Sequence, residues 1–200
     1  MQDIAASAAR MVVEEGVEYG AAKRRAVKTL GLPPRTALPS NELVEAQVFE
    51  YIDLFCADTQ PQELAALRAH ALQWMTRLHE FRPHVGGAVW RGTATRLSDI
   101  YLQLFCDDPK STEIALINMN LTYDVTTVRG FQGDTVDALS LHSFCPELGE
   151  DIGVHLLIYD HDDLRGSLKP DAQGRSLRGD AKGLRMLLQN PVAHEDAERH

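Results

Sequence analysis

The segment Ser98-Asp99-Ile100-Tyr101-Leu102 reads as a polar turn opening a buried strand, with a single carboxylate, Asp99, at the strand's entrance. Tyr101 lies two residues on and shares the face of Asp99, because side chains alternate along a strand. About twelve residues earlier, Gly86-Gly87 forms a turn that runs into a short helical stretch. Backbone N–H groups exposed in such a turn can cradle a phosphate, since no Cβ blocks close approach. Arg91 and Arg96 flank the turn and could neutralise phosphate charge. Asp99 could then hold Mg²⁺ or Mn²⁺ against that phosphate, because such cations take oxygen ligands and often only one or two protein carboxylates plus substrate oxygens. The chemistry these residue types allow is binding of a nucleoside triphosphate or another phosphorylated ligand.

Taken together, Val85-Gly86-Gly87, Arg91-Gly92-Thr93 and Ser98-Asp99-Ile100-Tyr101-Leu102 resemble the signature of the nucleotidyltransferase fold superfamily, which includes polymerase-β-like enzymes and the minimal nucleotidyltransferases. The pattern is an apolar residue, Gly, Gly or Ser, then Arg-Gly, then Ser-Asp-x-Asp-apolar, and the spacing matches without a gap. The likeness covers Arg82 to about Asn118, and the first sixty residues have no counterpart in it. It implies a nucleotide cleft holding Gly86, Gly87, Arg91, Arg96 and Ser98. It further implies two metal ions on paired aspartates and a third carboxylate on a later strand, serving transfer of a nucleoside monophosphate with loss of pyrophosphate. Residue by residue, the first aspartate is Asp99. The second acidic position holds Tyr101, and the facing position on the later strand Gly153-Val-His-Leu-Leu-Ile-Tyr-Asp160 is His155. Gly87 stands where active members commonly carry Ser.

These departures shape the expectation. A neutral Tyr cannot replace a bridging carboxylate for a hard cation, and an imidazole suits Zn²⁺ or Mn²⁺ better than Mg²⁺. The first reading is therefore a degenerate site, with Asp99 as catalytic and metal-binding remnant, that keeps a nucleotide or phosphorylated ligand. A second is an active nucleotidyltransferase drawing another acid from Asp107, Asp108 or Asp137. The third is a non-catalytic scaffold, its cleft filled by Tyr101, that binds a protein partner or a second copy of itself. Elsewhere, Asp160-His161-Asp162-Asp163 reads as a strand end followed by an acidic first helical turn, which suits the helix dipole. His142 and Cys145 could pair as base and nucleophile, but nothing in the sequence supplies an oxyanion hole. Trp90 could stack on a base, close the cleft or pack in the core. No G-x-x-x-x-G-K-[ST] phosphate loop occurs.

The elements that must position these residues follow from hydrophobic spacing. Ile4, Ala8, Met11 and Val12 carry a helical stripe that Gly16 interrupts, and Tyr19, Ala22, Ala26 and Leu30 carry a second. Gly31 caps the second, and Pro33-Pro34 forbids continuation. Val44, Val48, Ile52 and Phe55 mark a third helix. A fourth starts near Thr59 and carries Leu67, Ala71, Trp74 and Leu78 up to Pro83. Strands are expected at Ile100–Phe105, Tyr123–Arg129, Val136–Phe144 and Gly153–Asp160, with helices from Ser111 to Asn118 and after Asp180. The predicted class is α+β: a nucleotidyltransferase-like mixed sheet flanked by helices over 61–191, an all-helical extension over 1–60, and a frayed tail over 192–200.

Composition bounds the rest. The chain has 200 residues, 44% hydrophobic and 24% charged, with a formal charge of −9. The acidic balance argues against a general nucleic-acid or anionic-membrane binder. No apolar run approaches the roughly 20 residues needed to cross a bilayer, and no secretory signal opens the chain. Cys56, Cys106 and Cys145 lack metal-ligand spacing and suit free thiols in a reducing cytoplasm.

Overall fold

A computed structural model of the chain describes residues 1–171 and 174–190, and the expected tail lies outside them. Its class is α+β, with an all-helical N-terminal region followed by a mixed sheet of six strands flanked by helices. Two compact units divide it: residues 1–64 with 93–98, and residues 65–92 with those from 99 onward.

The first unit is built on α1 (Gln2–Glu15), α2 (Tyr19–Thr29) and α3 (Asn41–Phe55). Gly16 ends α1 with φ 67°, and the bonds Gly16 N–H to Val12 O and Val17 N–H to Met11 O close its last turn. That left-handed conformation is strained for any residue with a Cβ. Ser40 caps α3 by accepting from Leu43 N at 3.2 Å. Ala5, Ala8, Ala22 and Ala26 are fully buried beside Ile4, Val44 and Val48, so small side chains let the helices approach closely. Here α4 (Gln60–Arg77) begins and then runs on into the second unit. Residues 93–98 are tied to its first turn. Gln60 Nε2 donates to Ala94 O at 2.8 Å, and Arg96 N donates to Glu63 Oε2 at 2.9 Å.

The second unit continues with β1 (His84–Gly86), α5 (Gly87–Arg91), β2 (Ile100–Cys106), α6 (Lys110–Asn118), β3 (Asp124–Arg129), β4 (Thr135–Cys145), β5 (Glu150–Asp160), α7 (Leu164–Ser167), β6 (Arg178–Gly179) and α8 (Ala181–Gln189). The sheet order is β3-β4-β5-β2-β1-β6. Only β2 and β5 run parallel, with Tyr101 opposite His155. Short β1 and β6, at three and two residues, show no alternation in the sequence and emerge only from pairing. Asp180 caps α8 by accepting from Gly183 N at 2.8 Å.

The two faces of the sheet differ in chemistry. One carries Val85, Leu102, Leu104, Leu139, Leu141, Val154 and Leu156, all at most 5% exposed. Helix α4 bonds to that face, where the Ser143 hydroxyl meets Trp74 Nε1 at 3.0 Å and His70 Nε2 at 2.8 Å. Burying these side chains supplies the main driving force for the unit. The opposite face is closed at one end by His84, Phe105, Phe131 and Tyr159, whose rings contact in series. Its other end is more open: Tyr101, Ser140 and His155 are half-buried, while His142, Asp124 and Phe144 are exposed.

Candidate functional site

Register alone brings the polar residues of the open face into one row. In the ladders, Tyr101 lies opposite His155, His155 opposite Ser140, and Ser140 opposite Asp124. Directly opposed residues share a face, so the row crosses β2, β5, β4 and β3. Asp99 stands one step ahead of β2, and its carboxylate lies over the backbone of Gly153. A Cβ at Gly153 would sit 2.6 Å from Asp99 Oδ1 and 2.8 Å from Oδ2, so glycine is what admits the carboxylate here.

Three side chains are joined there. His155 Nε2 meets Asp99 Oδ2 at 2.8 Å, and His155 Nδ1 meets Ser140 Oγ at 2.8 Å. The Tyr101 ring stacks on the imidazole, with centroids 4.7 Å apart and planes 23° apart. Asp99 is held below the usual carboxylate range, first by its hydrogen bond to His155, with further help from the charges of His155 and His142 and the Gly153 N–H, against a burial effect of opposite sign.

Tyr101, Asp99 and His155 are thus neighbours. Gly87, at φ 63°, borders the same spot, since a Cβ there would lie 3.9 Å from Tyr101 Cδ2. At Gly86 a Cβ would crowd Gln103 Nε2 at 3.1 Å, so the turn is packed on the sheet rather than standing clear of it. Arg91 ends α5 and is half-buried. Arg96 and Ser98 fall in the first unit. There the Ser98 hydroxyl accepts from Thr95 N at 3.0 Å, which commits it to shaping its own turn.

The Gly-rich loop has a buried support of its own. Arg68, 4% exposed, donates to the carbonyls of Val89 and Trp90 at 2.8 and 3.0 Å, and burial pushes its guanidinium down to about 10. Trp90 belongs to the core: it is 9% exposed, and its Nε1 donates to Ser176 O at 3.0 Å.

The donor set can be tested against a pair of divalent cations. Among the described residues, no group of three His, Cys, Asp or Glu side chains is placed to hold a metal ion. Asp137 pairs with Ile158 and so lies on the opposite face from His155, while Asp108 accepts from Lys110 N at 2.9 Å. None of the acids is grouped with Asp99 and a third ligand among the described residues, so the side chains present do not fit a two-metal centre. Cys145 is fully buried, and burial pushes its thiol up, which is the wrong direction for a nucleophile. All three cysteines are free thiols. No helix among the described residues is long and apolar enough to cross a membrane.

Two residues at the site escaped the sequence reading, Ser140 and Gly153. Ser140 sits in an ordinary alternating strand, with no local signal. Gly153 looks like the start of a strand but lies inside one, and an interior strand glycine is the cue for a close approach.

Comparison with known proteins adds little. No protein-family model matches the chain, and no curated protein does. Among solved structures, it is similar to a crystal structure of the Cid1 poly(U) polymerase with MgGTP bound, at 13% identity and a TM-score of 0.35. The likeness covers 48% of this chain and 32% of that one, so the chain spans about a third of the polymerase's length. It is a distant likeness at most.

Proposed function

We propose that the protein is nucleotidyltransferase-like, with a weakened catalytic site that binds a nucleotide or another phosphorylated ligand on the open face of its sheet. The observation that carries this reading is the stacking of Tyr101 on His155 beside Asp99. The position that would need a second metal-binding acid presents an aromatic ring instead. An aromatic ring on an open sheet face suits a nucleobase, because stacking is tolerant of base identity. The family-like spacing of Gly86, Gly87, Arg91 and Asp99, all in the second unit, supports a phosphate end to the same ligand. With one carboxylate, Mg²⁺ or Mn²⁺ would arrive with the triphosphate rather than reside in the protein. The same composition favours a small ligand over a nucleic acid and a cytoplasmic setting.

The test is calorimetric titration of ribonucleoside triphosphates, with Mg²⁺ or Mn²⁺, into the full chain and into Asp99→Asn. Metal-dependent heat in the wild type that is lost in Asp99→Asn is expected. Absence of heat with every nucleotide and both metals would sink the reading and leave a scaffold for a protein partner or a second copy. Pyrophosphate release on turnover would instead reveal an active transferase.

A further inference from the structure

Asp99, His155 and Ser140 form an unbroken hydrogen-bond chain, with both links at 2.8 Å. We propose that Ser140 is an activated nucleophile for acyl transfer, with His155 as its proton acceptor and Asp99 as the positioning residue that sets the histidine's tautomer. The inference goes beyond nucleotide binding and does not depend on it.

The direction of each hydrogen bond follows from donor and acceptor capacity. An ionised carboxylate only accepts, so the Nε2 facing Asp99 carries the ring proton. In the neutral imidazole Nδ1 is then a bare acceptor. Ser140, the group facing Nδ1, must therefore donate its hydroxyl proton to it. That is the relation of nucleophile, base and orienting acid that activates a serine, and it is recognised by roles rather than by chain order. The ring is also held in place. Both its nitrogens are engaged, and Tyr101 covers one face. Three further features fit. The three residues come from regular strands or a strand entrance, which holds them firmly. Ser140 and His155 lie at the open end of the face and are half-buried. His142, two residues along β4 on the same face, bears on Asp99 electrostatically and brings a second imidazole to the site.

The groups facing His155 are Asp99 and Tyr101 from the β2 end, Ser140 and His142 from β4, and Asp124 from β3 beyond Ser140. Asp124 opposite Ser140 disfavours an anionic acyl donor by like-charge repulsion. The substrate class is accordingly a neutral or cationic activated ester. In the step, Ser140 Oγ attacks the acyl carbon and the Oγ–C bond forms. The carbon–oxygen bond to the alcohol breaks, and the serine proton passes to His155 Nδ1 and on to the departing alkoxide.

The full chain treated with p-nitrophenyl acetate tests this directly, read by p-nitrophenolate release and by mapping of the acetylated peptide. Acetyl on Ser140 is expected, absent in Ser140→Ala. Removal of a general base costs about 10²–10⁴-fold in rate, so His155→Gln should slow Ser140 acylation at least tenfold. Asp99→Asn can donate to Nε2, and the ring proton should move to Nδ1, seen in the ¹⁵N shifts of His155 together with slower acylation. A wild-type chain whose Ser140 stays unmodified while surface lysines react would overturn the proposal, as would His155→Gln acylating at the wild-type rate. Calorimetry with nucleotides is a separate readout, so failure here and failure of the nucleotide reading are told apart.

Discussion

Replacing Gly153 with alanine separates a close approach from ordinary strand packing. Gly153 lies inside central strand β5, and its φ is not in the left-handed region, so alanine suits its backbone. Relative to alanine, glycine in a strand costs roughly 0.5–1 kcal/mol of stability, and Gly153→Ala would regain that if nothing else changed. Something else does change. The new Cβ would stand 2.6 Å from Asp99 Oδ1 and 2.7 Å from Cγ, well inside contact distance. The short Asp99 side chain has no far end to bend away, so it must rotate as a whole and release His155. A net hydrogen bond contributes about 0.5–1.5 kcal/mol. The Asp99 side chain is 44% exposed, which places its bond to His155 at the lower end of that range. The two effects nearly cancel, and Gly153→Ala alone should move stability by less than about 1 kcal/mol.

The sign appears in a double-mutant cycle. In an Asp99→Ala background no carboxylate blocks the Cβ, and the same Gly153→Ala change should stabilise by about 0.5–1 kcal/mol. The coupling between positions 99 and 153 is then about 1 kcal/mol, measured by urea unfolding of the four proteins. Nuclear magnetic resonance titration of the carboxyls gives an independent view. Asp99 should return towards its ordinary range in Gly153→Ala, because its hydrogen bond to His155 is the leading cause of its lowered value. Equal effects of Gly153→Ala with and without Asp99, to within experimental error, would refute the claim that this glycine exists to seat the carboxylate.

Three further outcomes follow from buried groups in the second unit. Gly179→Ala would drive a Cβ into the Trp90 ring, which its bond to Ser176 holds in place. Overpacking costs about 1–3 kcal/mol, and Trp90→Leu should relieve most of it in thermal unfolding. Arg68→Ala leaves the Val89 and Trp90 carbonyls without their donor and should cost about 3 kcal/mol, with Arg68→Lys restoring only part, since one ammonium lacks the guanidinium's fork. His70 and His84 are both lowered from 6.5, chiefly by burial. The unfolded chain therefore binds protons that the folded chain does not, and stability, complete above pH 6.5, falls as pH drops below it. The slope is at most about 1.4 kcal/mol per pH unit for each group. Asp99, being lowered as an acid, withdraws its own contribution only below the ordinary carboxylate value of 3.8. Urea midpoints at pH 7.5 and 5.5 check the assignment: His70→Gln with His84→Gln should flatten the difference.

The unequal legibility of this chain has a physical basis. Long elements carry their own period. The stripe Val44, Val48, Ile52 shows α3, and alternation from Val154 to Ile158 shows β5, because one face of each must be apolar. Strands β1 and β6 are too short to hold a period; β1 exists because β2 offers it an edge, and β6 because β1 does. Trp90 has the same type and the same glycine-rich neighbours whether it lines a cleft or fills a core, and the choice is made by the missing Cβ atoms of Gly179 and Gly183. The open-face site lies at the far end of that scale. Its three-residue chain depends on the parallel register Tyr101–His155 and the antiparallel register His155–Ser140, which join strands about 15 to 55 residues apart in sequence. Spacing near Asp99 points to a phosphate cleft, yet nothing local to Asp99 can announce a serine on β4. What did lie in plain view was Gly153, two residues before His155. An interior glycine weakens a strand and survives there when another group needs its space. The carboxylate of Asp99 is that group, and a search for such glycines beside a histidine leads from one strand to its chemical partners on the others.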